Sequence, residues 1–299
     1  MKQGSLIVLA SVLTGVLTAA PALADEDVYK TIDASADGYI EIYNTAGMIE
    51  VTGWSRNSVE IKGVLGDAVE ELIVERDGNE ILIRVEVPHR YRGDVDADLS
   101  IRVPERSSLE VTGVSTDIEV RGVSGEQSLS TVSGDIDVTG VADDVDAESV
   151  SGDVTINGDG GTGSFDVATV SGDVLVKGLS GNVDAESVSG DVDVIGGEYE
   201  DAHFESVNGD LTFHAALTEN SDLSMESVNG TVDILFTKPV SARFDIETFN
   251  GSIRNCFGPK PQRTSKYSPG LELSFTVGDG DARVEVETLN GSVNICNKD

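Results

Sequence analysis

The sequence predicts an all-β chain wound as a parallel β-helix, a single-stack β-solenoid with 18–21 residues per rung and a cap at each end. Three observations carry that expectation. A five-residue core, Val-Ser/Asn-Gly-Asp/Thr/Ser-Val with conservative swaps, recurs from Val132-Ser133-Gly134-Asp135-Ile136 to Leu289-Asn290-Gly291-Ser292-Val293. Residues on both sides of each glycine alternate apolar and polar, the period-two mark of short strands with one buried face. Aromatic residues make up only 5% of the chain while glycine contributes 33 of 299 residues, which suits stacked aliphatic columns and tight corners rather than an aromatic-rich core.

From the N-terminus, Lys2 precedes an apolar stretch from Leu6 to Ala20, and Ala22 and Ala24 form a small-x-small pair. These are the parts of a secretory signal peptide, so residues 1–24 are read as an export signal cleaved before Asp25. The apolar run falls short of the ~20 residues that a membrane span needs. Residues 25–108 lack the tight repeat. Tyr39–Gly47 reads as an early rung, and the alternating runs Glu80–Val87 and Asp98–Val103 add strands. This region is expected to cap the open edge of the first rung.

Residues 109–299 hold the repeats. Counting from a degenerate copy with Thr116 at the glycine position, the steps are 18, 18, 20, 18, 19, 21, 21 and 40 residues. The apolar phase slips between Ala147 and Val150, so a turn is expected there, with glycine chosen because positive φ is cheap for it. Gly140, Gly158, Gly178 and Gly196 mark a second corner. Two inward columns follow from stacking, one running Ile136, Val154, Val174, Val192 and the other Val138, Ile156, Val176, Val194. Crossover handedness favours a right-handed coil. The 40-residue step contains Phe257–Gly270 with Pro259, Pro261 and Pro269, which reads as an inserted loop before the C-terminal cap. Cys256 and Cys296 each lie five residues beyond a repeat glycine, so they share one position on the coil. Rungs in direct contact would hold them within disulfide range, and an oxidising compartment would keep the bond.

Charge narrows the function classes. With 54 acidic and 20 basic residues the chain carries −34, which argues against nucleic acid or anionic lipid as partner. Between Gly122 and Thr237 there are 24 acids and one Lys or Arg, Lys177. Stacking lines up Asp135, Asp153, Asp173, Asp191 and Asp210, preceded by Asp117, in one outward column. Such a ladder offers oxygen ligands to calcium, and it serves equally as a solvated face that keeps the solenoid soluble. Both readings stay open, and no other cofactor is implied. Glu186, Glu205, Glu226 and Glu247 form a second column, extended to Glu148 across Ala168.

No catalytic residues emerge. Stacked columns give carboxylate pairs at nearly any separation, and rungs of near-constant length leave no loops to wall a cleft. Gly158–Gly163 matches a dinucleotide fingerprint, but a strand rather than a helix is expected after it. Arg92-Gly93-Asp94 is a short cell-attachment tripeptide, and His203 and His214 fall on different sides of one rung, a poor arrangement for a metal pair. Arg254, Lys260, Arg263 and Lys266 make an acid-free segment that is expected to fold back onto the protein's own carboxylates as a cap, with binding of a partner as the alternative.

The Ser-Val-Ser-Gly-Asp-Val units, the export signal, and the ending Asn250-Gly251-Ser252-Ile253-Arg254-Asn255-Cys256-Phe257-Gly258-Pro259 resemble the bacterial "putative adhesin" family of unknown function. The resemblance covers residues 30–299 and implies a β-solenoid of the cell envelope, periplasmic or at the cell surface, without established catalytic residues. The expected role is a non-catalytic scaffold whose acidic, repetitive surface binds an envelope protein or polysaccharide. A carbohydrate-active β-helix enzyme and a calcium-responsive scaffold are the alternatives.

Overall fold

The computed structural model describes residues 26–298 apart from Ala142 and Asp159, so the segment read as an export signal lies outside the described residues. Among them the regular structure is entirely β. There are 23 strands, joined in one largely parallel hydrogen-bonded sheet with no helix. The strands before each repeat glycine pair in parallel with their counterparts one repeat away: Gln127–Ser133, Val145–Ser151, Thr162–Ser171 and Ser180–Ser189 follow one another in register. Those after the glycine form a second set, in which Ile136–Val141, Val154–Gly158, Val174–Lys177 and Val192–Asn208 are neighbours. Inward residues of both sets are buried in the expected columns. No rung can bury its aliphatic edge alone, and stacking closes it at about 4.8 Å per step.

The corner forms for a different reason from the one the sequence suggested. The chain stays extended past Ala147 and Ser149, which both face in, and turns only at Gly152. Val150, at the place where the phase slips, faces solvent instead of the core. Gly172 and Gly190 at this corner do not adopt left-handed φ. Glycine is needed there because a Cβ on Gly190 would lie 1.8 Å from the Gly172 carbonyl oxygen of the rung below. Positive φ does apply at the second corner, where Gly178 and Gly196 have φ of 68° and 78°.

At both ends the order of the stack departs from the order of the chain. Tyr39–Trp54 lies between Ser108–Arg121 on one side and Glu80–Glu86 with Ala97–Pro104 on the other, all parallel. Rung-like pairing therefore reaches into residues 25–108, and antiparallel strands Glu26–Asp33, Ser58–Leu65 and Glu71–Asp77 complete that end. At the opposite end Ala282–Asn290 inserts between Leu211–Asn229 and Ala242–Asn250. Val293–Asn297 likewise inserts between Val232–Phe236 and Ile253–Asn255. The last repeat in sequence is thus the second-to-last rung in space. Leu271–Val277 pairs antiparallel on the outer side of Ala242–Asn250, with Phe275 stacked on Phe244 at 4.5 Å. Cys256 and Cys296 are joined by a disulfide with a Cα separation of 5.0 Å. The basic segment does not fold onto carboxylates: Arg254, Lys260, Arg263 and Lys266 are exposed, and among the described residues none makes an ion pair. Its backbone is held locally instead, through the Arg263 guanidinium donating to the Ser268 carbonyl and Asn255 to the Pro259 carbonyl.

Candidate functional site

The delayed turn creates a long groove. Because each strand runs four residues beyond its last inward aliphatic side chain before bending, as from Ala147 to Ser151, one outward position is carried to the rim of the corner. In stack order that position holds Val114, Val132, Val150, Val170, Val188, Val207, Val228, Leu289 and Phe249, each 38–51% exposed. Nine positions at one strand spacing span about 38 Å. An unbroken apolar row of that length, aliphatic up to Phe249, on a chain of charge −34 is a feature that solubility alone does not produce.

Two positions earlier, the opposite wall carries Glu148, Glu186, Glu205, Glu226, Glu287 and Glu247, interrupted by Ala168. Between the walls lies a floor of small hydroxyl residues, Thr131, Ser149, Thr169, Ser187 and their successors. Most floor hydroxyls donate to the corner carbonyl of the rung below, as Ser187 does to Gly172 at 3.0 Å and Thr248 to Gly291 at 3.0 Å. Ser227 and Thr288 have no partner for theirs. The three columns enclose about 890 Å³, with Thr264 and Gly270 of the inserted loop beside one end. Burial raises the carboxyl pKa of Glu186, helped by Asp184 and Glu205, and it raises that of Glu287, helped by Glu226 and Glu247. Along that wall carboxyl stands beside carboxyl, with His203 against Glu205 at 3.0 Å.

The sequence-predicted aspartates do share a column, and each has a structural task. The backbone N–H of Asp153 donates to the Asp135 carboxylate at 2.9 Å, Asp173 to Asp153 at 2.8 Å, Asp191 to Asp173 at 2.8 Å and Asp210 to Asp191 at 2.7 Å. Asp117 starts the chain of bonds and Thr231 ends it. Charge-assisted bonds of this kind offset the repulsion of stacked carboxylates, and they occupy one oxygen of each. Gly158–Gly163 leads into the strand Thr162–Ser171, so no helix N-terminus follows the fingerprint. In Arg92-Gly93-Asp94 the Asp94 amide is tied to the Asp67 carboxylate at 2.7 Å.

Sequence reasoning missed two things. The aliphatic ladder was hidden because Val150 and its equivalents look like core residues. Counting the strict alternation on from Ala147 through Ser149 would have put them outside. Glu287 was missed because its rung comes last in sequence although it lies between Glu226 and Glu247 in space. The histidines separate as expected: His214 pairs with Asp233 at 2.9 Å, while His203 lies beside Glu205 at 3.0 Å and near Asp184 and Glu186.

Comparison with known proteins gives a family and no activity. The Toastrack DUF4097 family model matches residues 43–195 and 180–296, and the chain belongs to that family. No curated protein matches it. Among solved structures, a "putative adhesin" from Bacteroides fragilis is 12% identical, covering 91% of this chain and 97% of its own, with a TM-score of 0.44. A "putative lipid binding protein" from Parabacteroides distasonis is 11% identical over 90% and 96% of the two chains, at a TM-score of 0.41. A "putative adhesin" from the same species is 9% identical over 91% and 97%, at 0.39.

Proposed function

Taking membership of the Toastrack DUF4097 family as the premise, we propose that this protein is a non-catalytic binding scaffold outside the cytoplasm and that the groove is its binding surface. In this reading residues 1–24 direct export, residues 25–108 cap a right-handed β-helix, and residues 109–299 supply the repeated surface. The observation that carries the proposal is the pairing of an aliphatic ladder with an acidic ladder across one continuous hydroxyl floor. An extended polypeptide places successive side chains on opposite sides. A segment that alternates apolar and cationic residues would therefore lay its apolar set on the Val ladder and its cations on the Glu ladder. Phe249 is the one aromatic side chain along the groove and stands at its end, so most of its length offers sugar rings no stacking surface, and an envelope protein segment is favoured over a polysaccharide. Electrostatic steering would speed its association and make the affinity fall with salt.

The test uses the exported chain and a fluorescent peptide of alternating Leu and Lys, read by anisotropy. Binding should weaken at least tenfold with Val188→Ser plus Val207→Ser, and again with Glu186→Gln plus Glu205→Gln. Equal affinity of the variants, or capture of acidic or neutral glycans in place of the peptide, would overturn the proposal. A calcium-responsive role is a second reading, favoured by the second oxygen of each ladder aspartate, which the backbone bonds of Asp135, Asp153, Asp173, Asp191 and Asp210 leave facing solvent.

A further inference from the structure

We infer that Asp184, Glu186 and His203 form a binding site for one divalent transition metal of the zinc class. The site is built from two adjacent strands. Asp184 and Glu186 sit at alternate positions of Ser180–Ser189, both facing out, and parallel register sets His203 of the next rung directly beside Asp184. One donor atom from each of the three lies within 4.8 Å of the other two. Glu205 completes a two-by-two grid: it is in register with Glu186, and its Oε1 lies 3.0 Å from His203 Nε2.

The donor set selects the metal. Imidazole nitrogen with carboxylate oxygen suits zinc and its neighbours, whereas calcium takes oxygen ligands alone. Tetrahedral zinc at ordinary bond lengths needs donors about 3.4 Å apart. Asp184 and Glu186 are exposed, so rotation about their side-chain bonds closes the remaining distance without moving the strands. His203 is also a departure from the repeat. Its column otherwise carries Asp146, Asp166 and Asp184 on one side and Ser224, Glu285 and Asp245 on the other, so this rung alone of that series has an imidazole. The site stands apart from the groove proposal in its argument, although Glu186 and Glu205 belong to both, and metal bound there would lower the charge of the acidic wall.

The experiment is a calorimetric titration of the exported chain with Zn²⁺, paired with NMR of the histidine side chains. The expected result is one Zn²⁺ per chain, with the His203 resonances shifting and those of His214 unmoved. His203→Ser should weaken binding at least tenfold, and serine already occupies this column at Ser128 and Ser224, so the fold should tolerate it. Asp184→Asn should weaken it too, and His214→Ala should leave it unchanged. A millimolar excess of Ca²⁺ should not compete. Zn²⁺ affinity retained within twofold in His203→Ser, or several equivalents bound without a His203 shift, would overturn the inference. These readouts use no peptide, so failure here leaves the groove reading standing and failure of the groove leaves this one.

Discussion

Replacing Gly190 with alanine separates two explanations of the repeat glycine by the sign of one measurement. Gly190 does not lie in the left-handed region, so backbone dihedrals alone allow alanine. At such a position the substitution would stabilise by about 0.4–1 kcal/mol, because the unfolded chain loses freedom. Packing gives the opposite sign. The new Cβ would lie 1.8 Å from the Gly172 carbonyl oxygen, so the two rungs must separate by more than an ångström. Three bonds between those two rungs lengthen together: Gly172 N–H to the Ser189 carbonyl at 3.2 Å, Val174 N–H to the Asp191 carbonyl at 2.8 Å, and the Ser187 hydroxyl to the Gly172 carbonyl at 3.0 Å. At about 1 kcal/mol each the bonds cost about 3 kcal/mol, and after the entropic gain the net cost is about 2–2.5 kcal/mol, lowering the melting temperature by about 4–10 °C for a chain of this size. Thermal unfolding followed by circular dichroism measures it. Gly122→Ala is the control, since its φ of 64° is left-handed but nothing stands within 4 Å of its Cβ, and about 1 kcal/mol is expected. A melting temperature for Gly190→Ala equal to or above that of the parent would refute the close-approach account.

Three further outcomes are expected. Burial is the leading cause of raised carboxyl pKa at Asp96, Asp146, Asp184, Glu186 and Glu287, whereas Glu60 is lowered by its bond to Lys62. A raised acid binds more protons folded than unfolded, so the stability it contributes falls as pH rises from the ordinary carboxylate value near 4 through the higher folded value. Melting temperature at constant ionic strength should therefore increase as pH falls from 7 to 5, an interval in which Glu60, lowered below its ordinary value, stays ionised folded and unfolded, and a decrease would contradict the five raised carboxyls. Cys256→Ser opens a 40-residue loop and should cost about 4 kcal/mol in the chain-entropy model, with hydrogen exchange accelerating first at Ile253–Asn255 and Val293–Asn297. Uniform exchange along the stack would show that the bond does not hold that end. Millimolar calcium should raise the melting temperature beyond a sodium control of matched ionic strength, and Asp173→Asn with Asp191→Asn should remove the difference; equal responses to the two salts would leave screening alone.

The parts of the molecule that the sequence disclosed are those fixed by local periodicity. Ile136, Val154 and Val174 could be placed in one column because their spacing repeats and their neighbours alternate in polarity. Cys256 and Cys296 could be paired because both keep the same offset from a glycine. What stayed hidden depends on contacts between rungs. The reason for Gly190 is the carbonyl of Gly172, which lies in another turn of the coil. The 19-residue step that aligns Glu186 with Glu205 also sets His203 beside Asp184, so their register was legible, whereas the approach of one donor atom from each of Asp184, Glu186 and His203 to within 4.8 Å depends on side-chain placement across two rungs.

The reversal of order at the C-terminal end bears on what the ladders are for. Val228, Leu289 and Phe249 are consecutive in the stack, as are Glu226, Glu287 and Glu247, although Leu289 and Glu287 come 40 residues after their outer neighbours in the chain. Side-chain type thus follows position in space through a place where chain order breaks. The core requires that continuity only of inward residues, and the floor hydroxyls other than those of Ser227 and Thr288 donate to corner carbonyls whatever stands at the rim. An outward position has no such duty. In a solvated face with no further role, polar residues would be favoured at the rim, as they are on the adjoining Glu column and at the aspartate ladder. Apolar residues persist there instead, growing to Leu289 and Phe249 where the inserted loop approaches. A surface maintained across the break in chain order, and enlarged where one end closes, is better accounted for by an elongated ligand than by the folding of individual rungs.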